Sequence, residues 1–241
     1  MPHSLSIVRI GAMAIASLLF TFPSSLAQEQ QKPSSASEEV MMPEQYTEFL
    51  KQVWSTLKNE MEAYQTSIAK RDEFETSAEF ERRLVDAKRQ YLSKVMKYSR
   101  DQKLDQRVFS VLFKVSLGQY DADKQMYTLS SPTVVDAPYN IPSVQCVIRN
   151  NPYVALADSI RKGYRTSSMY VRLPKGNKWQ VSRDLAREAK AEDENLYFRV
   201  NVMVDIEKPD VKDQAILELV PKELALYNNK TNKVYWAVPI R

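Results

Sequence analysis

Apolar residues at Tyr46, Leu50, Val53, Leu57, Met61, Tyr64 and Ile68 recur every three or four positions, which draws one stripe down a helix that starts after Pro43. Lys70-Arg71-Asp72-Glu73 interrupts the pattern with a charged turn. Thr76 and Glu79 then have capping-box spacing, in which a hydroxyl and a carboxylate each accept an otherwise free amide. A second stripe runs through Phe80, Leu84, Ala87, Tyr91, Val95 and Tyr98. The pattern predicts a helical hairpin over 44–105, its stripes packed on each other or on the sheet of the same chain. The alternative is a seam with a second copy of the chain.

From Arg107 the period changes to two. Phe109, Val111, Phe113, Val115 and Leu117 alternate along a strand ending at Gly118, and the polar turn 120–124 leads into a returning strand over 125–129. Pro132, Pro138 and Pro142 make 131–143 a loop or an interrupted edge. A short strand is expected at 144–148. Pro152 at a first turn and Gly163 as a stop predict a helix over 152–161. Further strands are expected at 169–173, 196–206, 215–220, 224–227 and 234–238, with a short helix capped by Ser182 and running to Lys190. Leu196, Phe198, Val200, Val202, Val204 and Ile206 alternate with Arg199, Asn201 and Asp205, the signature of a sheet with one wet face. The expected class is α+β: an N-terminal helical hairpin, then a domain over 106–241 with a mostly antiparallel sheet of about seven strands and one or two short helices.

Ahead of the hairpin, Arg9 and the apolar run 10–20 read as a signal peptide over 1–27, with small residues placing the cut after Ala27. The run is too short to span a bilayer, and no later segment of the sequence suggests a transmembrane helix. Residues 28–43 are rich in Gln, Ser and Glu and read as a disordered tether. The expected product is exported to a periplasm or secreted. Its single histidine, His3, lies in the leader, and Cys146 is its single cysteine. Without imidazoles or a thiol pair, the common triads, histidine metal sites and redox pairs are out of reach. The expectation is a protein that is not an enzyme and uses neither cofactor nor metal. Alternation places Cys146 on a buried face, where a thiol is inert.

Two segments, Phe74-Glu75-Thr76-Ser77-Ala78-Glu79-Phe80 with Arg83 and Leu117-Gly118-Gln119-Tyr120-Asp121-Ala122-Asp123, resemble stretches of uncharacterised bacterial extracytoplasmic proteins of unknown function. The resemblance implies a bacterial periplasmic setting and assigns a role to no residue.

Several motifs invite chemistry. Ser55, Ser67 and Ser159 each precede a lysine by three residues, as in serine-lysine hydrolases, but the companion elements of those enzymes are absent. Asp121-Ala122-Asp123 opens like a calcium loop, yet Met126 stands where glycine is needed and Pro132 where glutamate is needed. Glu192-Asp193-Glu194 is an acidic run in a connection, explained by solvation. The strongest signal is charge: residues 161–190 hold nine cations against Asp184 and Glu188, while the whole chain has a net charge of only +4. Tyr164, Tyr170 and Trp179 are interleaved with them.

Export makes nucleic acid an unexpected partner for such a segment. Lipid headgroups and anionic cell-wall polymers are the available polyanions. The expected function is therefore a non-enzymatic envelope binding protein with an anion-binding face at Arg161, Lys162, Arg165, Arg172, Lys175 and Trp179. The alternatives are a structural protein that forms homo-oligomers through its helices and, third, a serine-lysine hydrolase.

Overall fold

Helix α1 (Pro43–Ile68) begins at a proline, whose missing amide costs nothing in a first turn, and buries the predicted stripe from Tyr46 to Tyr64. After the charged turn, the Thr76–Glu79 capping box starts α2 (Ser77–Asp101). The Thr76 and Glu79 amides find their acceptors in each other's side chains, at 2.8 and 3.3 Å. Tyr64 stacks on Tyr91 with ring centroids 5.1 Å apart, and Lys94 pairs with Glu60 at 3.1 Å, so the two helices meet within one chain. The inner stripe of α1 faces the main sheet: Tyr46 and Phe49 pack on Phe109, at 5.7 and 4.5 Å.

In this computed structural model the described residues are 38–131, 135–137, 144–161, 164–173, 176–207 and 215–241. The expected signal peptide, its cut after Ala27 and tether residues 28–37 lie outside them. Their strands are β1 (Glu38–Met41), β2 (Val108–Lys114), β3 (Ser116–Asp121), β4 (Met126–Ser130), β5 (Val135–Ala137), β6 (Val144–Ile148), β7 (Val154–Arg161), β8 (Tyr164–Val171), β9 (Lys178–Gln180), β10 (Leu196–Glu207), β11 (Ala215–Asn228) and β12 (Lys233–Pro239); a third helix, α3 (Arg183–Ala191), precedes β10. The class is α+β.

The main sheet runs β1-β2-β10-β11-β12, with β6 also paired to β11. Strand β10 lies between β2 and β11, antiparallel to both, and buries its alternate residues from Leu196 to Ile206. The free edge of β11 is shared: β6 takes Ala215–Leu219 in parallel, and β12 takes Glu223–Asn228 antiparallel. On the sheet's other face the Ser110 hydroxyl donates to Asn201 at 2.7 Å, and the Asn201 amide and Arg199 both reach Glu223 at 3.3 Å. Two smaller sheets, β3-β4-β9 and β5-β8-β7, complete the fold.

Five expectations need correction. The main sheet is mixed rather than mostly antiparallel, because β1 and β6 enter it parallel. The hairpin is not N-terminal: β1 precedes it and pairs with β2, so Glu38–Met41 is a strand rather than tether, held also by the Arg107–Glu39 ion pair. There are twelve strands among the described residues, not about seven. The helix expected at 152–161 is β7, since pairing with β8 from Val154 to Arg161 overrides the helical reading of Pro152 and Gly163. Finally, 215–220 and 224–227 are one strand, bent by a bulge that leaves Lys222 unpaired to β10 between Pro221 and Glu223.

Candidate functional site

Strand β9 is three residues long and alternates exposed, buried, exposed, so Trp179 turns inward while Lys178 and Gln180 face out. Pairing with β4 sets Trp179 opposite Tyr127, and the rings stack at 6.1 Å. Tyr120 adds to one side at 5.0 Å and Tyr235 meets Trp179 edge-on at 5.4 Å. Each such contact contributes about 0.5–1.5 kcal/mol beyond its buried area. The polar ends of the rings are tied to main chain: the Tyr120 hydroxyl donates to Val181 O at 3.0 Å and the Tyr127 hydroxyl to Ala186 O at 3.3 Å. The second bond ties α3 to the aromatic row, and the first ties the connection that leads into it.

Strand β12 closes the other side. Its register to β11 shifts between Leu226 and Tyr227, so Tyr235 is an extra residue between Val234 and Trp236. Strict alternation would turn neighbours to opposite faces. The bulge instead lets Tyr235 and Trp236 border the same space. The result is a cleft of about 580 Å³ between β9, the first turn of α3 and β12, walled by Leu173, Trp179, Leu185, Tyr235, Trp236 and Val238. Lys178, Gln180 and Ser182 stand at its polar edge. Ser182 occupies the cap position of α3 without a cap hydrogen bond from its side chain, and the shielded Trp236 Nε1 has no hydrogen-bond partner among the described residues.

Of the predicted anion-binding residues, Arg172 and Trp179 have described side chains. Trp179 is only 7% exposed and belongs to the aromatic row that borders the cleft. Arg172 is exposed, but its guanidinium donates to Pro152 O at 3.2 Å and Asn151 O at 3.4 Å, holding the start of β7. Arg161 and Arg165 fall at the closing end of the β7–β8 pairing, and their side chains lie outside the described residues, as do Lys162 and Lys175 altogether. Elsewhere in the basic segment, Arg187 pairs with Asp184 at 3.5 Å and Lys190 with Asp193 at 2.6 Å. The Asp193 carboxylate raises the Lys190 pKa by hydrogen bond and charge.

The acidic run is also answered, as Glu192 meets Lys230 at 3.1 Å, which lowers its pKa. The Asp121 carboxylate accepts the Lys124 amide at 3.0 Å, lowering its own pKa, and Gln125 turns the chain at a φ of 50°. That is hairpin-turn chemistry. Ser67 donates to Tyr64 O at 2.6 Å on α1, Ser55 is exposed on the same helix, and the Ser159 side chain lies outside the described residues. Cys146 is buried, with its thiol pushed up to about 12 by desolvation. Among the described residues no cluster of His, Cys, Asp or Glu is arranged to hold a metal, and no helix is long and apolar enough to cross a membrane.

Sequence reasoning missed the cleft. Its walls come from four separated stretches, and in the sequence Trp236 reads as one more residue of a terminal strand. The signal available was the adjacent pair Tyr235-Trp236, which alternation cannot place on one face without a bulge. No family model, curated protein or solved structure matches the chain.

Proposed function

We propose that this chain is an exported, non-enzymatic binding protein of the bacterial envelope, seating anionic envelope material at the cleft between β9, α3 and β12. The observation that carries the reading is a ligand-sized, mainly apolar cleft with a few polar groups at one edge. A charge argument supports it. Among the described residues Lys178 has no carboxylate partner, whereas Asp184 and Glu188 are engaged by Arg187 and Lys233. The basic segment 161–190 adds positive charge that attracts anions to the protein, and such attraction weakens with salt.

The test is co-sedimentation of the purified protein with anionic vesicles and with cell-wall sacculi, at low and at high salt. Binding to at least one of them at low salt, lost on charge reversal of Arg161, Lys162, Arg165 and Lys178 together, is the expected result. Equal sedimentation of wild type and variant disposes of the reading, as does turnover of an envelope substrate by the purified protein.

A further inference from the structure

We infer that the cleft takes one molecule of an amphipathic anion, an apolar chain carrying a single carboxylate or phosphate head. This deepens the preceding proposal and rests on it. The walls have the chemistry of a chain-binding surface: Leu173, Leu185 and Val238 provide aliphatic contact, and Trp179, Tyr235 and Trp236 provide broad, rigid faces. The volume of about 580 Å³ lies within the range of small-molecule sites.

Part of the cleft's lining is polar. Lys178 and Gln180 are exposed on either side of Trp179, and the Ser182 hydroxyl is not used as a helix cap. The ammonium, amide and hydroxyl together form a donor-rich edge beside an apolar trough. Trp236 Nε1 is hidden from solvent, so no water-sized atom in the cleft reaches it, and Trp236 offers the ligand its ring rather than its donor. The head group is left to the Lys178 edge.

Two sources share this chemistry, a free fatty acid and a single-chain phospholipid, and the assay separates them. The full protein is titrated by calorimetry and by tryptophan fluorescence with laurate, with lauroyl lysophosphatidylglycerol and with neutral dodecyl maltoside, each below its micelle concentration. Saturable one-to-one binding of laurate or of the lysophospholipid, at least tenfold tighter than the maltoside, is expected, and the tighter of the two names the source. Lys178→Gln should weaken the anions at least fivefold and leave the maltoside unchanged.

Three results overturn the inference: failure of both anions to saturate, anion affinities that Lys178→Gln leaves unchanged, or equal affinity for anion and maltoside. Unaltered circular dichroism and melting of Lys178→Gln, at an exposed position, guard against misfolding. Vesicle or sacculus binding that persists without uptake of single amphiphiles leaves the proposed function standing and removes only this inference.

Discussion

The Arg83 guanidinium bridges the two ends of the hairpin turn. It donates to Glu75 at 2.8 and 2.9 Å, to Lys70 O at 2.8 Å, and to Ser67 O near the end of α1. Helix ends leave carbonyls without intrahelical partners, and one planar side chain here serves two main-chain acceptors and a carboxylate. Lysine lacks that fork, so Arg83→Lys should lower the melting temperature nearly as far as Arg83→Ala, as calorimetry would read. The same contacts carry a pH dependence. Hydrogen bonds from Arg83 hold the Glu75 pKa below its ordinary 4.5, and those from Thr76 do the same for Glu79. A depressed carboxylate contributes stability above its unfolded pKa and loses it as pH falls through the folded value. Urea midpoints should therefore fall below about pH 4.5, and less steeply in the Glu75→Gln, Glu79→Gln double variant. Cys146 has the opposite sign. With its thiol raised to about 12, it stays protonated while an unfolded chain would ionise, so its contribution is intact at neutral pH and lost on the alkaline side. A maleimide dye at about pH 8 should leave Cys146 unlabelled in the native protein and label it fully in denaturant.

At the scale of elements, α1 does most of the joining. Its inner stripe is buried from Tyr46 to Leu57, with Tyr46 packed on Phe109 of the main sheet, while Tyr64 meets α2. Of the second stripe Tyr91 and Val95 are buried, and Leu57, fully buried, has no room to be shortened without a cavity. Leu57→Ala should cost about 2–5 kcal/mol in urea unfolding. The capping box predicts a smaller loss, about 0.5–2 kcal/mol for Thr76→Ala. By contrast, Phe74 at the turn is 86% exposed, and Phe74→Ser should change stability by less than about 0.5 kcal/mol. The helices were legible because a stripe seven residues deep and a capping box are local signals. Strand β7 was not, because its identity depends on pairing with a separate strand, β8. Pro152 and Gly163 mark helix ends and strand ends alike, and only the pairing chooses between them.

Across the whole molecule, ligand binding and folding share one equilibrium. Occupation of the cleft should raise the melting temperature with ligand concentration, because a ligand that binds only the folded state stabilises it by RT ln(1 + [L]/Kd). The shift should be severalfold smaller in Lys178→Gln at ligand levels near the wild-type Kd. By itself the sequence determined the class, the hairpin, the wet and dry faces of β10 and the burial of Cys146, since each follows from a period or cap within one short window. It also determined the charge imbalance of 161–190. What charge counting could not convey is where each cation spends itself: Arg172 on two carbonyls, Arg187 and Lys190 on carboxylates, Lys178 on none described. Tertiary structure alone decided the parallel entry of β1 and β6, the inward turn of Trp179 and the cleft. Those features bring together residues far apart in sequence through register, and a single extra residue at Tyr235 decides which rings share a face.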